Sequence, residues 1–503
     1  MKFRDLVINI ISVLFIIPLY YFTKGHNIFL YTISLYLYLI LSSMFLHINI
    51  YDNLKKYYDK KQIYSLNVIY KYTNISIIII NIFISLILWG ISILLNSLFN
   101  IKGFVVVNIC MSLTLFIIPI LKNVSSFVSV YGFKKLGDNV INFYKILSLI
   151  LLIISSFICF KIVNIPDYIS IIIMYSTLIM SFSLVYIFCY LLVLSNKIKK
   201  KQFKTRDERI DYKKEIIDIL SRNNNASIIN IIKYSYFYIS IVILYFLLKN
   251  RYGYSYLNTS NVINNNYLYA SLLIVILLFI INYFEYDNLD KIINNVKKKN
   301  FDNIKLDDYL IGLFKRLLTM VVIFSIVSDA VWTLVFNSDD GYILYMFSGL
   351  MLFYVLYSFI IRIVKNCISD KKMYIILIIG LIIKLLLVVP LVSSLYRLGY
   401  NLLYGDMISS IVSYFLVSIL FIISTRNKCR VDFISKFDKI LDIIYYNIIL
   451  CLILLLFTFI VPVKVSTRLE GIIVLIVYLV ISFIYIYIRK RLGDKNERII
   501  VRN

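Results

Sequence analysis

Fourteen apolar stretches, each about long enough to cross a bilayer, follow one another down this 503-residue chain. They fall near 6–23, 28–50, 72–98, 103–131, 142–163, 167–195, 229–248, 267–285, 309–336, 342–364, 373–395, 402–424, 440–462 and 470–488. A spanning helix needs about 20 mostly apolar residues. These runs are too long and too unalternating for barrel strands. Backbone amides in hydrocarbon must be paired within the segment, so helices are the expected form. The expected fold class is therefore an all-α polytopic membrane protein of about 14 transmembrane helices. Composition agrees: 61% of residues are hydrophobic, 16% are charged, and mean hydropathy is +0.86.

Charge gives the chain a direction. With a cytoplasmic N-terminus, about 42 of the 53 Lys and Arg residues fall in inner loops or at inner span ends. The outer loops hold only Lys24, Lys102, Lys161, Lys249, Arg251, Arg397, Lys464 and Arg468. This asymmetry is what the positive-inside rule describes. It predicts an even number of spans with both termini in the cytoplasm. The same distribution accounts for the net charge of +26 without nucleic acid, because the basic residues are spread over many loops rather than one patch. Anionic membrane lipids are the natural partners of such loops. Six scattered cysteines without a CxxC spacing, and only two histidines, argue against a structural zinc site. The segment after Met1-Lys2-Phe3-Arg4 has no small-residue cleavage site and reads as the first span.

Loop lengths organise the spans. Residues 1–196 form an expected N-lobe and 229–424 a C-lobe, each of six spans; 425–503 add two spans and a basic tail. Between the lobes, 197–228 is a basic cytoplasmic linker. Its Ile210, Ile216, Ile217 and Leu220 share a face if the segment is an amphipathic helix at the membrane surface; a solvated charged linker is the other reading. The loop after the second span opens Tyr51-Asp52-Asn53-Leu54 in the first half and Tyr286-Asp287-Asn288-Leu289 in the second. That match hints at two related bundles facing one cavity, an arrangement many secondary transporters use.

Local sequence adds a resemblance. Leu334-Val335-Phe336-Asn337 closes one span and Tyr342–Phe359 opens the next. Gly380 and Lys384 stand in a Gly-x-x-x-Lys spacing, and Gly399 precedes Gly405-Asp406-Met407-Ile408-Ser409-Ser410. In these features the chain resembles the multidrug/oligosaccharidyl-lipid/polysaccharide exporter superfamily. Within it, the chain looks most like the polysaccharide-biosynthesis branch, with its lipid II flippases and stage V sporulation protein B-like members. The resemblance implies two six-helix lobes around a central cavity, plus two C-terminal helices. Two departures stand out. Val388 occupies a position where the family often has Asn, and Lys122-Asn123-Val124-Ser125-Ser126 replaces the Arg-Gly-x-x-Gln-Gly run of the lipid II flippases.

Ionisable groups inside spans cost several kcal/mol unless they face a cavity or a partner. Lys122 lies in the fourth span beside Asn123, Ser125, Ser126 and Ser129; it either faces a cavity or snorkels inward. Lys384 lies mid-span, too deep to snorkel easily. Asp329 could pair with either lysine, or serve as a proton or sodium site. Lys24 and Arg251 end the first and seventh spans, at the outer mouth of such a cavity or simply at the interface. Arg362 reads as a topological charge. The substrate that the resemblance implies, a lipid-linked saccharide, carries a diphosphate. Lys24, Lys122, Arg251 and Lys384 would bind it, because Lys and Arg replace the hydration of phosphate oxygens. No cofactor is expected; coupling to H+, Na+ or the membrane potential remains open. Cell-envelope synthesis enzymes are candidate partners, and a bacterial cytoplasmic membrane is the expected location. A cation-coupled multidrug exporter and a polysaccharide polymerase or ligase are the alternative functions. The absence of a Walker A run argues against an ATPase, and the short outer loops argue against an enzyme.

Overall fold

The computed structural model describes residues 10, 50–99, 104–159, 167–199, 212–221, 224–253, 269–297, 306–336, 342–365, 367–429 and 436–500. All but one residue of the first expected span, nearly all of the second, and Lys24 lie outside the described residues. The described residues contain helices and no strand. Nine described helices are long and apolar enough to cross a membrane, and the shorter Ile117–Val130 and Ile276–Glu285 are also apolar. Large apolar side chains face outward along their length: Phe83, Ile87, Leu386 and Phe483 are each more than 60% exposed. A soluble protein rarely shows such a surface; lipid accepts it. The chain is a multi-pass membrane protein.

Contacts divide it into two compact units, Met1–Asn264 and Asn265–Asn503. The first contains α1 (Tyr51–Asp59), α2 (Ile63–Phe99), α3 (Phe104–Ser112), α4 (Ile117–Val130), α5 (Lys134–Gly137), α6 (Val140–Phe157), α7 (Asp167–Lys199), α8 (Tyr212–Ser221) and α9 (Asn224–Phe246), the last followed by a π turn at Leu247–Arg251. The second contains α10 (Tyr269–Lys297), α11 (Leu306–Ile326), α12 (Ser328–Phe336), α13 (Tyr342–Val364), α14 (Asp370–Arg397), α15 (Leu403–Cys429), α16 (Phe437–Phe457) and α17 (Arg468–Ile500).

The span expected over 103–131 is two helices, α3 and α4, joined by a turn at 113–116. Pro119 explains the break: it has no N–H, and its ring would collide with the carbonyl of Leu115 in a continuous helix. In that turn the Ser112 carbonyl accepts from Leu115 N (3.3 Å) and, from α2, from Asn81 Nδ2 (3.3 Å) and Ser85 Oγ (3.2 Å). Trp89 Nε1 donates to Ser112 Oγ at 2.8 Å. The span expected over 309–336 is similarly divided at Val327, between α11 and α12.

The linker does contain a helix, α8, but its packed face differs from the expected stripe. Ile219 is buried and Ile217 is 55% exposed. Tyr212, Glu215 and Ile219 are spaced to share one face. On that face the Glu215 carboxylate accepts hydrogen bonds from Asn53 Nδ2 (3.2 Å) and from the Tyr57 hydroxyl of α1, while the Tyr212 and Ser65 hydroxyls meet at 3.2 Å. Burial, then Glu215, pushes the Tyr57 phenol well above its usual range. The motif beginning at Tyr51 thus anchors α8. Its counterpart in α10 also buries a leucine, Leu289.

In the second unit α11, α12, α16 and α17 share a core of Ile326, Ala330, Leu450, Leu454, Val474 and Tyr478. The Tyr478 hydroxyl donates to the Val461 carbonyl at 2.8 Å. An ideal Cβ on Gly471 would stand 3.0 Å from the Ala330 carbonyl, so α17 lies close on α12.

Candidate functional site

In the first unit the helix that carries Lys122 is fixed by polar contacts. Asn123 is fully buried and its Nδ2 donates to Asn74 Oδ1 of α2 at 2.7 Å. Ser125 Oγ donates to the Gly137 carbonyl (2.8 Å), and Ser126 Oγ to the Lys122 carbonyl (3.0 Å). A Cβ on Gly137 would lie 1.9 Å from Ser129 Oγ. The serines expected as a polar stripe beside the lysine therefore hold α4 against α5 or bond their own helix. Such bonds are worth about 1 kcal/mol each in a membrane. Lys122 itself is half-buried; further along α4, Phe127 stacks on Tyr70 of α2, ring centroids 4.1 Å apart.

In the second unit Lys384 is 3% exposed, in the middle of the 28-residue helix α14. The chain leaves α14 through Gly399, whose φ of +77° only glycine adopts freely. Tyr400 N bonds back to the Leu395 carbonyl at 2.9 Å, closing the helix end. Asn401 Oδ1 then accepts from Leu403 N at 3.0 Å and starts α15. This short hairpin lays α15 directly on α14. An ideal Cβ on Gly405 would meet Val392 N at 2.5 Å and Val392 Cα at 2.6 Å. Ser413 Oγ donates to the Gly380 carbonyl at 2.7 Å. Between these two contact points lie Lys384 and Asp406. Asp406 is 0% exposed, and its carboxylate acts electrostatically on the Lys384 ammonium. An isolated buried charge costs several kcal/mol, so a buried amine and carboxylate on adjoining helices compensate one another.

In the sequence Asp406 belongs only to the turn into α15, and Asp329 is the acid expected to pair with Lys384 or Lys122 or to serve as an ion site. Asp329 is half-buried in the first turn of α12. Arg251 ends the π turn and is exposed; nearby, Lys249 Nζ lies 5.9 Å from the Tyr245 ring centre. Lys384 is thus placed in the second unit, and Lys122 and Arg251 in the first.

No protein-family model matches the chain, and neither does any curated protein sequence. Solved structures do. A lipid II flippase MurJ in an inward-closed conformation superposes with a TM-score of 0.58 at 15% identity, covering 95% of this chain and 99% of the other. An inward-facing multidrug-resistance MATE family transporter of the MOP superfamily superposes with a TM-score of 0.59 at 13% identity, covering 86% and 95%. At such identities the likeness speaks for the fold. The chain shares the fold of these two solved transporters.

Proposed function

We propose that this protein is an alternating-access flippase that moves an undecaprenyl-diphosphate-linked saccharide, lipid II or a polysaccharide repeat unit, from the inner to the outer leaflet of a bacterial cytoplasmic membrane. Both termini are cytoplasmic in this reading. The observation that carries it is Lys384, a lysine buried with Asp406 between α14 and α15, in the middle of an otherwise apolar membrane helix. In this reading the headgroup diphosphate competes with Asp406 for the Lys384 ammonium, which replaces part of the phosphate hydration. Lys24, Lys122 and Arg251 are the companion cations for the diphosphate. Asp329 supplies coupling to H+ or Na+, or a charge pair. Spans thirteen and fourteen accept the lipid tail.

Transport assays test this directly. Lys384→Ala and Lys122→Ala are expected to abolish movement of the lipid-linked saccharide while the proteins still insert and purify as folded species. Unchanged transport by both variants would remove the basic-path mechanism. The second reading, a cation-coupled multidrug exporter, draws on the likeness to the MATE transporter. It predicts drug efflux that survives Lys384→Ala.

A further inference from the structure

Three helices of the second unit, α11, α16 and α17, are pinned together at one level. Thr319 Oγ1 of α11 donates to Asn447 Oδ1 of α16 at 2.9 Å. The adjoining Tyr446 carbonyl accepts from the Tyr485 hydroxyl of α17 at 2.8 Å. The sequence says what that level is. No charged residue occurs in 317–328 of α11, in 443–463 of and after α16, or in 471–488 of α17. Charges stand at the near ends of these runs: Lys315 and Arg316, Asp442, and Arg489. All three helices then continue into charged sequence, at 307–308, 438–442 and 490–498. A charge-free run of about 20 residues fills the hydrocarbon. The level is therefore an edge of the hydrocarbon, a few turns inside the helix ends, and the positive-inside rule makes it the cytoplasmic edge.

The cations at that edge have each other for company. The Arg489 guanidinium carbon lies 3.9 Å from the centre of the Tyr446 ring, a close cation–π contact. Lys315 is exposed, one turn before Thr319. The charges that act on Lys315 are both positive, those of Arg489 and Arg316. Nearby acids are held by other cations: Glu285 by Arg316 (Oε1 to Nε, 2.8 Å) and Asp308 by Lys436 (Oδ1 to Nζ, 3.0 Å). Neither Asp438 nor Asp442 of α16 forms an ion pair with Lys315 or Arg489. Like charges at the edge of a low-dielectric region repel more strongly than in water, so an anion between them is stabilising. On the hydrocarbon side the same helices expose Met320, Ile448, Leu452 and Phe483, a surface suited to acyl chains.

We infer that Lys315, Arg489 and Tyr446 form a binding site for a phospholipid of the cytoplasmic leaflet whose headgroup carries net negative charge. The lipid phosphate lies between the Lys315 ammonium and the guanidinium edge of Arg489, and the Tyr446 ring holds that guanidinium in place. A lipid fits better than a soluble anion because the cations border exposed apolar helix faces. An anionic lipid fits better than a zwitterionic one because a headgroup ammonium would add a further positive charge. The site is independent of what the protein transports and of Lys384.

Tyr446→Trp puts a fluorescent reporter in the site, and an indole keeps the cation–π contact. The variant would be reconstituted in mixed phosphatidylcholine and phosphatidylglycerol, with one or the other lipid brominated to quench nearby indole. Emission of the parent protein in the same mixtures, from Trp89 and Trp332, is subtracted. Brominated phosphatidylglycerol should quench more than brominated phosphatidylcholine at equal mole fraction. In the reporter background Lys315→Gln and Arg489→Gln should each lower that preference about fivefold, the effect of one cation near an anionic surface. Lys439→Gln, an exposed cation two turns before Tyr446 on α16, should leave it unchanged. Melting curves check folding, and the exposed Lys315 carries the test if Arg489→Gln does not fold. Equal quenching by the two lipids would overturn the site, as would a preference untouched by Lys315→Gln and by a folded Arg489→Gln. A preference lost to excess inorganic phosphate at constant ionic strength would assign the cations to a soluble anion and overturn the lipid.

Discussion

Gly405→Ala offers a sharp test of how the Lys384 region is built. The new Cβ would stand 2.5 Å from Val392 N and 2.6 Å from Val392 Cα, both backbone atoms. Comfortable separations between such atoms are about 3.5 Å or more, so α14 and α15 must part by roughly 1 Å at this point. No side-chain rotation relieves a clash with backbone. Overpacking of this kind costs about 1–3 kcal/mol, and each kcal/mol lowers a melting temperature by about 2–4 °C in a unit of this size. The control is Gly90→Ala in the middle of α2, where the added Cβ meets nothing within 4 Å. There the better helix propensity of alanine contributes up to about 1 kcal/mol in the opposite direction. Melting curves of both variants in the same detergent should therefore move in opposite directions from the parent. Because Gly405 adjoins Asp406, the variant should also lose transport. A Gly405→Ala protein as stable as the parent would refute the close backbone approach and the description of the buried charges that depends on it.

Other consequences are open to measurement. Asp406→Asn should destabilise the protein by about 3–5 kcal/mol because it leaves Lys384 buried without its compensating charge, and adding Lys384→Met should recover much of that loss; a double-mutant cycle in chemical denaturation reads the coupling. Asn123→Leu removes the 2.7 Å bond to Asn74 and should cost about 1–2 kcal/mol, seen as a lower melting temperature. Glu215→Ala should raise amide hydrogen exchange over 212–221 while leaving α2 protected. The Tyr57 phenol, held protonated by burial and Glu215, has a raised folded-state pKa; its contribution should be complete below pH about 10 and fall only above it. Protection of α8, corrected for intrinsic exchange rates, should be level from pH 7 to 9.

Helices such as α13 were legible because nothing interrupts them: the expected 342–364 and the observed Tyr342–Val364 coincide. Hydropathy averages over a window, so it passed over the break at 113–116, although Pro119 signalled it locally. The face of α8 was misjudged because the expected stripe began at Ile210, outside the described helix, whereas Glu215 and Tyr212 decide which side packs. Lys384 stood out in the sequence as a charge in the middle of an apolar run. Asp406 did not, since an acid in the first turn of a helix has an ordinary explanation in the helix dipole. Its closeness to Lys384 comes from a hairpin fixed by Gly399 and Gly405, not from spacing.

The most direct test of the central claim is transbilayer movement of a fluorescent lipid-diphosphate-saccharide in proteoliposomes, comparing the parent protein with Lys384→Ala. The account predicts movement by the parent and none by the variant, with both proteins folded and equally incorporated. Movement that is indifferent to Lys384, or no movement of any lipid-linked saccharide by intact parent protein, would contradict it.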